Sequence, residues 1–350
     1  MFNASLTDNV TAFDAGSAIS VMHILIVKMT SLGDVVHMLP ALTEAMRHVP
    51  DLHADWVAEE GFDVIPSWHP AVRRVIPSAL RRWRKHIVQA ETWREIRRFR
   101  DAIHQEKYDL VLDGQGLLKS AVVTRMARGP VAGLDARSAR EPLASLFYGA
   151  RFAAPTALHA ITRNRLLMAQ ALGYAMGDET DIRYGLSAQD GVAVPGLVGD
   201  YVLCLHGTAR PEKEYPEADW VRLLQQVAAR GLGVVLPWGN ERERLRAERL
   251  SVALPAAVIL PKMGLADLAS VIAGACIVLG VDTGLMHLAA AFRRPGVGLY
   301  PTTPPARFGA RNEADAPAMV NLSGESALQP EQVFHVVESL FEGDKKVEPD

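Results

Sequence analysis

Cysteine is scarce in this chain of 350 residues, which contains two, Cys204 and Cys276. Both lie in short apolar runs that are typical of buried strands, so neither a disulfide framework nor a multi-cysteine metal site is favoured, as expected of a reducing compartment. Long apolar runs are also lacking. The longest covers positions 271–281, whereas a membrane-spanning helix needs about 20 residues, so the sequence predicts no transmembrane segment.

Basic residues are absent from positions 1–21, which contain Asp8 and Asp14. Secretory signals and transit peptides begin with basic residues, so neither is predicted here and a cytoplasmic location is expected. We interpret residues 1–21 as a disordered tail. The first packed element is predicted to begin at His23, and Met22 just before it is a candidate start of translation.

The composition describes a globular chain without an excess of positive charge. It is 49 % hydrophobic and 22 % charged, with a formal net charge of -3. These proportions argue against disorder, and the balance of charge together with the lack of a known motif gives no support for nucleic-acid binding. A chain of this length predicts two domains.

Short apolar runs alternate with amphipathic stretches, and the pattern occurs twice. This alternation indicates βαβ units and a parallel sheet in each half, hence an α/β class with two doubly wound, Rossmann-like domains. In the first half the predicted strands are 23–28, 52–58, 73–77, 108–113 and 130–135, with helices at 35–48, 92–105 and 116–127. In the second half the predicted strands are 201–206, 233–238, 257–260, 276–280 and 296–300, with helices at 217–230, 241–253, 265–273 and 284–292.

The two halves are separated by a helical stretch at 156–172 and a polar, glycine-bearing segment at 174–200. Such a segment is typical of a linker. A last amphipathic stretch, 330–342, is a candidate to pack back across the first half. We predict an N-terminal domain at 22–175, a linker at 176–200, a C-terminal domain at 201–328, and a helix and tail at 329–350.

Candidate chemistry lies in the loops that follow strands, because doubly wound domains bind ligands at the carboxyl ends of their strands. In the first such loop, Gly33 permits a close approach and Asp34 stands at a helix start. Asp34 has two readings that spacing cannot separate. It either caps the helix or serves as general base for an acceptor hydroxyl.

The segment HGTARPEKEYP (206–216) carries Thr208, Arg210 and Lys213 ahead of a predicted helix. Hydroxyl, guanidinium and ammonium groups before a helix N-terminus suit a phosphate or pyrophosphate, although a solvated loop with incidental charges is the alternative.

The segment VDTGLMHLAAA (281–291) opens a helix with Asp282, Thr283 and Gly284, and His287 follows one turn later. Amides at that helix start, together with the Thr283 hydroxyl, predict an anion site to which His287 can donate. The alternative is a plain N-cap with a buried histidine.

The strand end at LPWGNERER (236–244) carries Trp238 and Glu243, which suit an adenine and a ribose or else form a structural turn; LPKMG (260–264) is a similar loop. No dinucleotide-binding or P-loop glycine pattern occurs in these loops. No Asp-x-Asp at a strand end and no metal-ligating His or Cys spacing is found, so we expect amides and cations to meet the charge of a leaving diphosphate.

Positive charge is concentrated at positions 73–100, where ten Lys or Arg accompany Glu91 and Glu95. This patch predicts an anionic partner such as a phosphorylated lipid or a membrane surface, with a solvated helix face as the alternative. The segment RRWRK (81–85), with Trp83 between its cations, is a candidate for a membrane interface.

Eight sequence blocks together resemble the ADP-heptose glycosyltransferases. They are VKMTSLGDVVHMLPAL (27–42), EEGFDVIPSWHPAVRRVIP (59–77), RRWRK (81–85), DGQGLLKSA (113–121), SAREPLASLFY (138–148), LPWG (236–239), LPKM (260–263) and VDTGLMHLAAA (281–291). The resemblance implies the GT-B fold. It also implies inverting transfer of L-glycero-D-manno-heptose from ADP-heptose to the first Kdo of Kdo2-lipid A at the inner membrane, with no cofactor or metal required.

The resemblance also implies roles for individual residues. The general base falls on Asp34, which would take a proton from the Kdo hydroxyl as its oxygen attacks C1 of heptose. Donor contacts fall on Thr208, Lys213, Glu243, Met263, Asp282, Thr283, Gly284 and His287. Contacts to the acidic acceptor fall on Arg81, Arg82, Arg84, Lys85 and Arg140.

Ala209 departs from the family pattern, because a second hydroxyl is expected beside Thr208. The leader 1–21 also has no counterpart. Three alternatives stay open: an enzyme that adds the second heptose, a sugar-nucleotide epimerase on the same fold, and a non-catalytic protein that binds lipid at the membrane surface.

Overall fold

Two parallel sheets of six strands each form the framework of the computed structural model, which describes residues 21–186, 191–197 and 199–344. In the first sheet the strands are β1 (Met22–Val27), β2 (Leu52–Glu59), β3 (Val72–Ser78), β4 (Leu110–Asp113), β5 (Val131–Leu134) and β6 (Ala150–Phe152). Their order is β3-β2-β1-β4-β5-β6. The central strand β1 pairs with β2 on one side and β4 on the other, so that Ile24 lies between Ala54 and Leu110.

Helices cover both faces of this sheet. They are α1 (Leu32–Val36), α2 (Leu39–His48), α3 (Val64–Ser67), α4 (Leu80–Lys85), α5 (Ala90–His104), α6 (Leu118–Thr124) and α7 (Ala160–Leu172), with a 3-10 helix at Pro142–Phe147. Side chains alternate across β1, because successive residues of a strand point to opposite faces. Ile24 and Ile26 join one apolar cluster, and Leu25 and Val27 join another. The near-continuous apolar strand is therefore buried on both sides, as parallel sheets require.

The second sheet repeats this topology. Its strands are β7 (Tyr201–Leu205), β8 (Gly233–Leu236), β9 (Val258–Ile259), β10 (Ile277–Val281), β11 (Gly296–Tyr300) and β12 (Met319–Ser323). The order β12-β11-β10-β7-β8-β9 places the first and fourth strands of this half, β7 and β10, side by side at the centre. In the first sheet the equivalent pair is β1 and β4. The strand order reverses at these pairs, which is where doubly wound sheets bind ligands.

The helices of the second half are α8 (Glu217–Ala229), α9 (Glu241–Val252), α10 (Leu265–Gly274), α11 (Gly284–Ala291), α12 (Pro305–Phe308) and α13 (Pro330–Asp344), with a 3-10 helix at Pro211–Lys213. The prediction that the last amphipathic helix crosses the first half is wrong. Val333 and Val337 of α13 pack into the apolar cluster that contains Val202 and Leu279 of the second sheet. The apolar stripe of α13 is buried against strands of its own half.

Three further predictions differ from the structure. The predicted helix 35–48 is two helices, because α1 ends at Val36 and α2 begins at Leu39 with Pro40 in its first turn. Proline lacks an N–H and clashes with the preceding helical turn, so it starts a helix more readily than it continues one. The sequence analysis also missed β6 and β12. Both lie at sheet edges, where short and partly exposed strands carry little apolar pattern.

The predicted domain limits at residues 175 and 201 stay a prediction. The first sheet ends at Phe152 and the second begins at Tyr201. Most of the predicted tail, residues 1–20, and part of the predicted linker, residues 187–190 and 198, lie outside the described residues. Within the ranges that the structure describes, no helix is long and apolar enough to span a membrane.

Candidate active site

The two halves meet where α1 contacts α11. A Cβ atom added at Gly33 would lie 2.8 Å from Cδ2 of His287, and one added at Gly284 would lie 2.8 Å from Cβ of Leu32. Glycine at both positions therefore allows the two helices to approach closely. Because α1 follows β1 and α11 follows β10, the carboxyl ends of both sheets face each other across this seam.

Asp34 lies in the first turn of α1 and is half-buried. Its Oδ2 atom accepts hydrogen bonds from the Ser31 backbone N–H at 2.7 Å and from the Ser31 hydroxyl at 3.2 Å. The carboxylate thus does cap its helix. Its Oδ1 atom accepts no hydrogen bond from any residue that the structure describes, so capping leaves one oxygen available for a substrate proton.

The loop that carries Asp34 is fixed by a buried side chain from the neighbouring strand. Oε1 of Gln115 accepts hydrogen bonds from the backbone N–H groups of Met29 at 2.9 Å and Thr30 at 3.0 Å, and its Nε2 donates to the Thr30 carbonyl at 2.5 Å. Lys119 donates to the Thr30 hydroxyl at 3.2 Å. The loop entering α1 is therefore held from β4 and α6.

Three histidines lie together at the seam, and we call His37, His159 and His287 the histidine cluster. Nε2 of His37 is 3.0 Å from Nδ1 of His287, and the rings of His37 and His159 are 5.6 Å apart. Nε2 of His159 is 3.0 Å from the Gly309 carbonyl, while its Nδ1 accepts from the Ile161 N–H. His159 therefore carries its proton on Nε2 and donates it across the seam.

Burial keeps the histidine cluster neutral. Desolvation lowers the pKa of His287 and the pKa of His159 to about 4 each. Burial, reinforced by the neighbouring His287, also lowers the pKa of His37 well below its ordinary value. His287 is buried, as the alternative to an anion-binding role expects, and one of its ring nitrogens is already engaged by His37. That His287 donates to a bound anion stays a prediction.

Lys213, Asp282 and Thr208 form one connected group at the ends of β7 and β10. Nζ of Lys213 is 2.5 Å from Oδ2 of Asp282, and the Thr208 hydroxyl donates to the Asp282 carbonyl at 3.1 Å. The side chain of Lys213 remains 22 % exposed. The two predicted anion-binding loops are therefore adjacent, and the ammonium group is held where both loops end.

Thr283 is the N-cap of α11, and Gly284 is its first helical residue. The Thr283 side chain makes no capping hydrogen bond to the described part of the helix. Unpaired amides at a helix start favour anions, and Thr283 and Gly284 are both half-buried rather than fully enclosed. This arrangement suits a phosphate next to Lys213.

Glu243 lies in the first turn of α9, at the carboxyl-end edge of the second sheet. Its Oε2 accepts from the Gly239 N–H at 2.8 Å, and a Cβ at Gly207 would lie 2.7 Å from its carboxyl carbon. The loops after β7 and β8 thus meet at this carboxylate. Met263 is half-buried after β9 and packs against the apolar cluster that includes Val278.

The basic segment is less positive than its composition indicates. Five of its ten cations are paired with carboxylates: Arg73 and Arg74 with Asp55, Arg82 with Glu60 and Glu95, Arg94 with Glu91, and Arg100 with Asp101. Arg73 and Arg74 share Asp55 of β2, and Arg73 also pairs with Glu106, which local sequence could not reveal.

That RRWRK (81–85) lies at a membrane interface stays a prediction, but Trp83 does not face outward from this segment. Its side chain is 5 % exposed, packs against Phe99 at a centroid distance of 5.4 Å, and donates to Glu95 at 2.6 Å. A helix of six residues must bury one side, and Trp83 is the buried residue of α4.

Four of the predicted acceptor-contacting cations have no ion pair within the described ranges. They are Arg81, Arg84, Lys85 and Arg140. Lys119, which sequence reasoning did not single out, lies close enough to Arg81 and Arg84 for their charges to lower its pKa, in addition to the larger effect of burial. Because Lys119 contacts Thr30, both Arg81 and Arg84 lie near the loop that leads to Asp34.

Among the described residues, no group of three or more His, Cys, Asp or Glu is arranged to hold a metal ion.

Comparison with known sequences decides the family. The profile of glycosyltransferase family 9 (heptosyltransferase) matches residues 96–335. This chain belongs to glycosyltransferase family 9. The glycosyltransferase is 50 % identical over 291 residues to lipopolysaccharide heptosyltransferase 1 of Pseudomonas aeruginosa, covering 83 % of this chain and 81 % of that protein. It is 44 % identical over 315 residues to the Escherichia coli K12 enzyme of the same name, covering 88 % and 98 %.

Solved structures confirm the GT-B fold of the glycosyltransferase. Escherichia coli heptosyltransferase WaaC with ADP superposes with a TM-score of 0.81 at 41 % identity, covering 92 % of this chain and all of that one. The same protein with ADP-2-deoxy-2-fluoro heptose gives 0.77 at 40 % identity, covering 92 % and 100 %. Escherichia coli heptosyltransferase II shares the fold, with a TM-score of 0.70 at 18 % identity over 93 % and 100 % of the two chains.

Sequence reasoning missed His37 and Gln115 as site residues. His37 stands three residues after Asp34, a spacing that places two side chains on one helical face, so a signal was present. Gln115 lies in DGQG, directly after a predicted strand, which was a weaker signal. Their partners are 250 and 86 residues away.

Proposed function

We propose that this family 9 enzyme transfers L-glycero-D-manno-heptose from ADP-heptose to the first Kdo of Kdo2-lipid A, with inversion and with Asp34 as general base. Heptose transfer in lipopolysaccharide core biosynthesis follows from the family and its close relatives. What we propose beyond this is the identity of the acceptor and the role of Asp34 as the base. The observation that carries it is the seam, because α1 with Asp34 touches α11, whose amides and Thr283 suit a diphosphate.

The proposed reaction is a single displacement. Oδ1 of Asp34 takes the proton of the Kdo hydroxyl while that oxygen forms a bond to C1 of heptose. The bond from C1 to the diphosphate oxygen breaks, and its electron pair leaves with ADP. One base and no covalent carboxylate are needed for inversion, which agrees with one half-buried carboxylate at the seam.

In this proposal, Lys213 and the backbone amides at the start of α11 stabilise the negative charge on the departing diphosphate. Preorganised amides and cations in a partly dehydrated site stabilise developing charge at low reorganisation cost. Asp282 holds the Lys213 ammonium at 2.5 Å and thereby fixes its position. Glu243 is assigned to the ribose and Met263 to the adenine.

The acceptor is assigned to the cations of the first half. Arg81, Arg84, Lys85 and Arg140 meet the carboxylates and phosphates of Kdo2-lipid A, since they lack protein carboxylate partners in the described ranges. Arg82 retains its assignment, but it must exchange Glu60 and Glu95 for the acceptor. We therefore rank it below the unpaired cations.

Measurement of ADP release tests the reaction. Release from ADP-heptose should require Kdo2-lipid A, persist in a chelator, and fall at least about a thousandfold in Asp34→Asn. Asp219→Asn is the matched control, because Asp219 occupies the same first-turn position in α8 and should retain full rate. Wild-type rates in folded Asp34→Asn would refute the base. Release only with an acceptor that already bears one heptose would indicate the enzyme that adds the second heptose, and absence of release from donor-binding protein would indicate a non-catalytic lipid-binding protein.

We also propose that the enzyme docks on the cytoplasmic face of the inner membrane. Leu118 and Val122 on α6 and Leu143 and Leu146 on the adjoining 3-10 helix form what we call the apolar ridge. Their side chains are 37 %, 47 %, 61 % and 68 % exposed. The elements are joined, since the Leu118 N–H donates to Glu141 at 2.6 Å.

Cations surround the apolar ridge, which makes an anionic lipid surface its best partner. Lys119, Arg125 and Arg140 are exposed and lack an ion pair in the described part of the chain. An exposed apolar patch among cations is typical of surfaces that lie in a membrane interface.

Flotation with vesicles of phosphatidylethanolamine and phosphatidylglycerol, without acceptor, tests the docking. Leu143→Ser with Leu146→Ser should lower partitioning at least about tenfold. Leu245→Ser with Val252→Ser, which changes exposed apolar residues of α9, should not. Equal partitioning of the two double variants would refute the ridge as the docking surface.

A further inference from the structure

We infer that Gln115 is a positioning residue for catalysis, which acts through the backbone of residues 29–30 on the proposed base Asp34. This inference rests on the proposed function of Asp34. The side chain of Gln115 is 8 % exposed and uses both its acceptor and its donor atoms on that backbone. Three hydrogen bonds from one side chain thus fix three successive peptide groups of the loop.

The bonds of Gln115 continue a strand pairing that the backbone itself cannot continue. β1 and β4 pair until Val27 lies opposite Asp113. Beyond that point the chain after β4 turns through Gly114 and Gly116, the latter with a φ of +67°. The side-chain amide of Gln115 then makes the hydrogen bonds to residues 29–30 that a neighbouring strand would make.

Gln115 is itself held by buried groups. Oδ1 of Asp113 accepts from the Gln115 N–H at 2.8 Å and the Gly116 N–H at 3.0 Å, and Oδ2 accepts from the Tyr148 hydroxyl at 2.7 Å. Lys28 donates to the Gly114 carbonyl at 2.5 Å. These contacts fix the side-chain amide of Gln115. The amide therefore determines the position of the loop at residues 29–30 and does not move with it.

The loop passes this placement directly to the carboxylate. Ser31 follows Thr30, and its N–H and hydroxyl both bind Oδ2 of Asp34. The peptide groups that Gln115 holds are thus one residue away from the groups that orient the base. A displacement of about 1 Å at a reacting group costs on the order of a hundredfold in rate.

The test uses Gln115→Met, which keeps the length of the side chain and removes all three hydrogen bonds. We expect kcat for heptose transfer to fall about ten- to a hundredfold, with KM for ADP-heptose and Kd for ADP within about twofold of wild type. Gln170→Met is the control. Gln170 lies on α7, and its Nε2 also donates to two backbone carbonyls, those of Ala153 and Leu166. This variant should leave kcat unchanged. Gln115→Glu keeps the two acceptor bonds and should recover part of the rate.

A double-variant cycle separates positioning from general loss of structure. If Gln115 acts through Asp34, Gln115→Met should cost little further rate when Asp34 is already Asn, whereas independent effects multiply. Loss of rate in Asp34→Asn together with a wild-type kcat in folded Gln115→Met would overturn this inference alone. Equal multiplicative losses would also overturn it. A wild-type rate in Asp34→Asn would instead overturn the proposed base.

Discussion

Gly284→Ala should separate the base from the donor site. The added Cβ would lie 2.8 Å from Cβ of Leu32, 2.9 Å from its Cδ2, and 3.0 Å from the backbone nitrogen of Gly33. Carbon atoms in contact are normally about 3.5–4.0 Å apart, so α1 and α11 must part by about 1 Å. Two of the three atoms belong to the rigid start of α1, and rotation of a side chain cannot relieve the clash.

The expected loss follows from that displacement. Overpacking of this kind costs about 1–3 kcal/mol, equivalent to about five- to 150-fold in an equilibrium between close and parted helices. We therefore expect kcat to fall about ten- to a hundredfold, measured as acceptor-dependent ADP release, while the melting temperature changes little because the seam can open. Leu32→Gly in the Gly284→Ala background removes two of the three clashing atoms, Cβ and Cδ2 of Leu32, and should restore part of the rate.

Gly264→Ala is the matched control. Gly264 stands at the start of α10, and the nearest atom to an added Cβ there is Oδ2 of Asp267 at 3.8 Å. This variant should retain the wild-type kcat. A wild-type kcat in folded Gly284→Ala would refute the conclusion that close contact of the two helix starts is needed for transfer.

Other perturbations address stability and donor binding. Each member of the histidine cluster has a folded-state pKa below the unfolded value of about 6.5, so stability should be full above pH 6.5. For His159 and His287, whose pKa values lie at about 4, stability should be lost between pH 6.5 and 4 by up to about 1.4 kcal/mol per pH unit for each; urea unfolding at pH 7 and 5 checks this, and His159→Gln should show a smaller loss. Arg165→Met leaves the buried Glu44 carboxylate, now 2.7 Å from Arg165, without its partner. It should lower the free energy of unfolding by about 3–5 kcal/mol, and a change below about 1 kcal/mol would contradict this. Lys213→Met should weaken ADP binding about tenfold or more in calorimetry, whereas an unchanged Kd would remove Lys213 from the donor site.

The sequence predicts the framework well because parallel strands buried on both faces leave continuous apolar runs. β1, β7 and β10 are of this kind, and the loops after them carry Asp34, Lys213 and Asp282. Edge strands lack that signal. β6 has three residues, all exposed or half-buried, so it leaves no apolar run in the sequence.

The site is less predictable where it depends on distant partners. Arg73 and Arg74 both pair with Asp55 on a neighbouring strand, and Trp83 packs against Phe99 on the next helix. No local spacing contains this information. The same holds for Gln115, whose target is the loop of another strand.

The matching strand order of the two sheets has a consequence for evolution and engineering. The proposed chemistry depends on loops that follow the central strands β1, β4, β7 and β10. In the first sheet, the outer strand β3 leads to the α4 cations, and the outer strand β5 leads to the Arg140 loop and the 3-10 helix that carries Leu143 and Leu146. Under the proposed assignment of the acceptor to these cations, chimeras that exchange only these peripheral loops between family 9 enzymes should take on a new acceptor while they keep the same donor.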